Sequence, residues 1–228
     1  MASVTQHTTI NEYQDFVQKV YRLPNDRFFS SWDMLTNIER FITRGLKGIR
    51  KEDRDKTKVN LLISFSWLMS MMNQFHIGLE NEVWKRFPYL CSYCASCPCS
   101  CKKNKVGKRQ KVFVDEEKRP KTLKDFQVMF SEIYPSETRT LEHVGIHLAE
   151  EIGEFAEAIL AYRGGHKEED FNNIPLEAAD LFSCFMGVFN SIEESMAKEL
   201  SIMFSNNCYM CKNAPCTCSF KTIAEFKS

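Results

Sequence analysis

Two cysteine clusters with one spacing constrain this chain more than any other feature. Cys91-Ser-Tyr-Cys94-Ala-Ser-Cys97-Pro98-Cys99-Ser-Cys101 and Cys208-Tyr-Met-Cys211-Lys-Asn-Ala-Pro215-Cys216-Thr-Cys218 both read C-x2-C-x3-P-C-x-C. They lie 117 positions apart, and the same ungapped offset carries well beyond the cysteines. Phe65, Ser66, Met69 and Asn73 fall on Phe182, Ser183, Met186 and Asn190. Glu82 and Phe87 fall on Glu199 and Phe204, and Gly48 falls on Gly165. A chain with this self-similarity is two copies of one unit. The expected division is a first copy over residues 1–101, a basic linker over 102–121 and a second copy over 122–228.

Four thiols within eleven residues can wrap one tetrahedral ion. In a reducing compartment Zn²⁺ is the expected choice, held by Cys91, Cys94, Cys99 and Cys101 and again by Cys208, Cys211, Cys216 and Cys218. Four thiolates leave no open coordination position, so the expected role is structural. Disulfides and an iron–sulfur cluster are the alternatives. Cys97 and Cys184 stand outside the shared pattern and are not expected to be ligands.

The rest of the chain reads as all-α. Leu148, Ile152, Phe155 and Ile159 form one stripe of helical period, overlaid in the first copy by Leu35, Ile38 and Ile42. Tyr162-Arg163-Gly164-Gly165 is expected to stop that helix at a glycine, and further helices are expected over 176–189 and 192–204. The 30 basic and 30 acidic side chains cancel, which argues against a chain-wide attraction to nucleic acid or anionic lipid. The apolar stretch from Leu61 to Met72 is broken by serines and shorter than the ~20 residues a membrane helix needs. No basic and apolar leader opens the sequence, so a soluble, cytoplasmic protein is expected, with no membrane partner.

Acidic residues flank the apolar stripes at matching spacing. At ~100° per residue, Glu151 and Glu154 sit about 60° and 120° from Leu148, at the border of the core stripe, while Glu150 points away from it. Glu177 and Asp180 are again three apart, beside the apolar face of Leu181 and Phe185. An acidic helix face of this kind is ordinarily solvated, and Glu177 and Asp180 could serve a helix N-terminus. If the two borders meet, however, four carboxylates converge, and a hard divalent cation relieves their repulsion.

Glu150-Glu151-x2-Glu154, followed after 22 intervening residues by Glu177-x2-Asp180, resembles the EExxE…ExxD signature of the MazG-like all-α NTP pyrophosphohydrolases. The resemblance covers roughly residues 122–206 and leaves out the cysteine clusters. It implies a helical bundle, here a pseudo-dimer of two tandem repeats, that cleaves a nucleoside triphosphate to the monophosphate and pyrophosphate. It further implies Mg²⁺ held by Glu151, Glu154, Glu177 and Asp180, with Glu150 as an outer or second-ion acid. By the same likeness, Lys198 and Asn190 contact the phosphate or base of the substrate. Asn73 repeats Asn190, however, which fits a packing role equally well. An aromatic such as Trp32 or Trp67 is expected either to stack on a base or to pack in the core.

The offset tests the acids internally. Moved back by 117 positions, Glu151, Glu154, Glu177 and Asp180 become Met34, Asn37, Asn60 and Ile63. The first copy therefore keeps its stripe and cysteines but lacks all four of these acids, and it is expected to complete the bundle as a degenerate half. Such sites are commonly shared by paired subunits in the family, so further homo-oligomerisation stays open. The rival expectation is a non-catalytic scaffold whose zinc knuckles and basic run, Lys102 to Arg109, hold nucleic acid or a protein.

Overall fold

The computed structural model describes residues 3–104, 107–137 and 139–226. Among them there is no strand, as the helical periodicity predicts. The stretch read as the first copy supplies α1 (Ile10–Phe28), α2 (Ser31–Arg50), α3 (Arg54–Gln74) and α4 (Leu79–Arg86). The second supplies α5 (Leu123–Ile133), α6 (Leu141–Gly165), the short α7 (Glu168–Phe171), α8 (Asn173–Ser191) and α9 (Met196–Phe204), before a final turn, α10 (Phe220–Ala224). Among the described residues no helix is long and apolar enough to cross a membrane.

Side-chain caps set several starts. Thr9 with Glu12, Ser30 with Asp33 and Thr122 with Asp125 form capping boxes at α1, α2 and α5. Each box satisfies amide donors that the first helical turn leaves without partners. Thr9 and Thr122 are 113, not 117, positions apart. The first helix pair therefore also repeats, but in a register shifted by four residues.

Three expected boundaries move. The helix expected over 176–189 is α8 and begins at Asn173, because Ile174 is fully buried and Pro175 lies where the helix has no use for its missing N–H. The helix expected over 192–204 begins only at Met196. Before it, Glu193 turns left-handed at φ 58°, and the Glu194 N–H returns to the Phe189 carbonyl at 3.0 Å. The end of α6 is also different: His166, at φ 50°, is the left-handed cap, while Gly164 and Gly165 remain helical.

The repeats read from the sequence do not coincide with the compact units of the structure. One unit comprises residues 1–78 and 196–228, the other residues 79–195. Thus α1, α2 and α3 take α9, α10 and the second cysteine cluster, whereas α5 to α8 take α4 and the first cluster. The two crossing points are themselves 117 positions apart and share one turn. His76 and Glu193 are both left-handed, and Ile77 N–H bonds the Met72 carbonyl as Glu194 bonds that of Phe189. An offset identifies the copies; which copy's closing helix packs where is a tertiary matter that the offset does not encode. The stretch 102–121, expected as a linker, belongs to the second unit. There Arg119 pairs with Glu80 at 3.0 Å, and the Trp84 indole donates to Glu116 at 3.1 Å.

Each unit has its own aromatic core. In the first, Tyr13 stacks on Phe65 with ring centres 5.4 Å apart, and its hydroxyl meets Ser66 Oγ at 2.6 Å. In the second, α6 packs along α8, and Phe87 of α4 meets Phe130 edge-on at 5.1 Å. Phe126, Phe155, Phe182 and Phe185 are all fully buried there.

Candidate acidic site and metal centres

The packing of α6 along α8 sets the acidic site. Ile152, Phe155, Leu181 and Phe185 face inward and turn Glu151, Glu177 and Asp180 toward one another. One carboxylate oxygen from each of these three lies within 4.8 Å of the others. Glu151 Oε2 and Glu177 Oε2 are buried and accept no hydrogen bond. Unpartnered buried carboxylate oxygens are costly, and hard cations take such oxygens as ligands. Glu154 is exposed and stands outside the triad, acting on it through charge.

The electrostatics follow from that crowding. Burial, reinforced by Asp180, Glu154 and Glu177, pushes the Glu151 carboxyl up to about 8. Burial and the neighbouring Asp180 and Glu154 also raise Glu177. Asp180 is the most enclosed of the three, at 6% exposure, and it is held by arginines. Arg86 of α4 grips it with two hydrogen bonds, Nε to Oδ1 at 3.0 Å and Nη2 to Oδ2, while Arg109 Nη2 approaches Oδ2 at 3.5 Å. Burial alone would lower the Arg86 guanidinium, but Asp180, Glu177 and Glu151 hold it above its ordinary value.

The other expected site residues lie elsewhere. Glu150 is exposed and pairs with His147 Nδ1 at 3.1 Å, on the side of α6 away from the triad. Asn190 is occupied with packing. Its Oδ1 accepts from Gln127 Nε2 at 3.0 Å, and its Nδ2 donates to the Gln127 carbonyl at 3.1 Å. Asn73 and Gln14 make the same pair of bonds in the first unit. Lys198 is exposed on α9, which belongs to the first unit, whereas the triad lies in the second. Trp32 is 42% exposed, and Trp67 packs edge-on against Phe29 at 5.0 Å.

Arg86 and Arg109 were not foreseen from the sequence. Arg86 carries a signal once the exchange of closing helices is known. Its counterpart 117 positions later is Met203, and that of Asp180 is Ile63. The unit with the acid has the arginine, and the unit without it has methionine and isoleucine. Around Ile63 the first unit instead encloses an apolar cavity of about 80 Å³, lined by Phe41, Trp67, Phe204 and Phe226.

The cysteines assemble as their spacing predicts. Cys91, Cys94, Cys99 and Cys101 form one group of four sulfurs, and Cys208, Cys211, Cys216 and Cys218 a second. No disulfide joins any of the ten. Sulfur pairs stand 3.7 Å apart for Cys91 and Cys101, 3.9 Å for Cys94 and Cys99, 3.9 Å for Cys208 and Cys218, and 3.8 Å for Cys211 and Cys216. Four sulfurs ~2.3 Å from a central Zn²⁺ lie ~3.8 Å from each other along the edges of a tetrahedron. Cys97 is exposed and Cys184 is buried on α8, both outside the groups.

Both clusters are fastened to a helix at the same point. The Cys99 N–H takes the Ile133 carbonyl at 2.8 Å, where α5 ends. The Cys216 N–H takes the Val20 carbonyl at 2.7 Å; that carbonyl is free because Pro24, four residues on, has no N–H to give it. The Tyr134 hydroxyl then donates to Cys91 Sγ at 3.5 Å, and Tyr21 occupies the matching place beside Cys208. In the Cys94 thiol, burial is outweighed by hydrogen bonds from Ser96 and Ser100, which bring it down to about 5.

No family model, curated protein or solved structure matches the chain.

Proposed function

We propose that the second unit is a Mg²⁺-dependent nucleotide pyrophosphohydrolase that cleaves nucleoside triphosphates between the α- and β-phosphates. The reading rests on the resemblance of its acidic motifs and is carried by one observation: Glu151, Glu177 and Asp180 each bring a carboxylate oxygen within 4.8 Å of the others, with two orphaned, buried oxygens among them. This donor set suits a hard, oxygen-seeking divalent ion. Such an ion, when bound, neutralises phosphate charge and makes water more acidic. The chain's own part is to orient. Glu151, Glu177 and Asp180 hold the ion, Glu154 lies at the exposed edge to act on water or a second ion, and Arg86 and Arg109 supply the positive charge a polyphosphate needs. The test is pyrophosphate release from a panel of NTPs and dNTPs with Mg²⁺. Glu177→Gln and Asp180→Asn should lower turnover at least about a hundredfold, consistent with the loss of a preorganised charge partner; release that ignores both changes would reject the reading.

The two cysteine groups are assigned to structural Zn²⁺, on the agreement of the sulfur–sulfur distances with a tetrahedron. Elemental analysis of reduced protein should find about two zinc per chain, and none would refute the assignment. A second functional reading draws on Phe113, 75% exposed beside Lys111 on the basic stretch, an arrangement suited to stacking on single-stranded nucleic acid. Retention of a labelled oligonucleotide by protein lacking hydrolase activity would favour it.

A further inference from the structure

If Glu151, Glu177 and Asp180 hold a divalent cation, Arg86 is in its way. Its guanidinium spans both oxygens of Asp180, leaving the least exposed acid of the triad already paired. We propose that Arg86 is the resident counter-ion of this site, displaced from Asp180 by the metal and then taken up by the phosphate chain of the substrate.

Three observations lead there. Asp180 is 6% exposed, and a carboxyl group so far from water needs polar partners close by, which makes an exchange of partners the natural change at this site. Arg86 is the partner the structure gives it: among the described residues no other side chain spans both Asp180 oxygens, and Arg109 reaches one of them, from 3.5 Å. Second, acid and arginine are lost together. Ile63 and Met203 hold the corresponding places in the first unit, so the arginine accompanies the acid and is not a general requirement for seating the closing helix.

Third, the chemistry of exchange is matched. A divalent ion competes for the same Asp180 lone pairs that the guanidinium fork now occupies. A guanidinium fits phosphate oxygens in the same two-pronged way that it fits a carboxylate, which an ammonium does not. Arg86 is mostly enclosed but keeps 14% of its side chain exposed, more than the 8% of Asp180, so a phosphate arriving from solvent can meet its guanidinium without unfolding α4. The metal alone then binds against a competitor. Metal and polyphosphate together bind without one, because the freed arginine gains an anion. The two ligands should therefore be positively coupled.

The experiment titrates the full chain with Mn²⁺ in the absence of nucleotide and follows free ion by electron paramagnetic resonance. In Arg86→Met, folded by far-UV circular dichroism, Mn²⁺ should bind about tenfold tighter, or ~1.4 kcal/mol. KM for the nucleotide should rise by a similar factor. Arg86→Lys keeps the charge and loses the fork. It should leave Mn²⁺ affinity within about twofold of wild type and raise KM alone, and it carries the test if the methionine variant does not fold. Unchanged or weaker Mn²⁺ binding in folded Arg86→Met, or an unchanged KM in Arg86→Lys, overturns the proposal while leaving the metal site standing. Absence of Mn²⁺ binding in wild type and variants alike overturns the metal reading itself.

Discussion

Tyr134 and Cys91 are joined by a hydrogen bond from the phenol to the sulfur, 3.5 Å long, at the point where α5 ends and the first cysteine group begins. A donor to a metal-bound thiolate orients it and stabilises its charge. Tyr134→Phe removes the donor and keeps the ring packed between Phe87 and Phe130. Zinc affinity should fall about tenfold, the lower end of the range for such outer partners. Competition with a colorimetric chelator measures it, and Tyr21→Phe should have a similar effect on the second group.

The acidity of Glu151 sets a pH dependence. With its carboxyl pushed up to about 8, chiefly by burial and then by Asp180, the side chain keeps its proton at neutral pH. A cation must expel that proton, so metal affinity rises with pH and levels off above about 8. The stability of the metal-free protein changes in the opposite sense. The folded state holds this proton more tightly than the unfolded chain, so stability falls as pH climbs from the ordinary 4.5 toward about 8. Melting temperatures recorded without metal should show the decline, and Glu151→Gln should flatten it.

Asn190→Ala separates packing from substrate contact. It strips Gln127 of two hydrogen bonds and should cost about 1–3 kcal/mol in urea unfolding, the range for buried partners left unsatisfied. KM for the nucleotide should not change. Asn73→Ala should destabilise the first unit to a comparable extent.

Gly48→Ala tests the close approach of α2 to α3. An added Cβ would lie 2.8 Å from the Thr57 backbone nitrogen, which cannot yield as a side-chain tip can. Alanine favours a helix by up to ~1 kcal/mol over glycine, and overpacking costs about 1–3 kcal/mol. A net loss of stability is therefore expected, measured by denaturant midpoint.

What the residues alone made legible divides along a physical line. Cys91 to Cys101 and Cys208 to Cys218 are local, and spacing sufficed to group them. Helical period brought Glu151, Glu177 and Asp180 to the border of a buried stripe, where a side chain meets whatever packs on it, but it put Glu154 there as well, and the structure leaves Glu154 exposed outside the group. The same wheel separated Glu150 from the triad. Lys198 and Arg86 show where this reasoning ends. Lys198 follows α8 in the chain, but the closing helix that joins α6 and α5 against α8 is α4, not α9, and no local property of either helix says so. The kinship of α1 and α5 was hidden by the four-residue shift between Thr9–Thr122 and the cysteines, which an ungapped comparison passes over.

The lending of α4 changes what the acid-less repeat is for. With no acid at the places of Glu151, Glu154, Glu177 and Asp180, it has the look of a relic. Yet it carries Arg86, together with the four sulfurs that tie the neighbouring α5 in place. Removing it would strip the unit that holds Glu151, Glu177 and Asp180 of a cation and a clasp at once, so a shortened descendant would have to borrow both from a twin molecule.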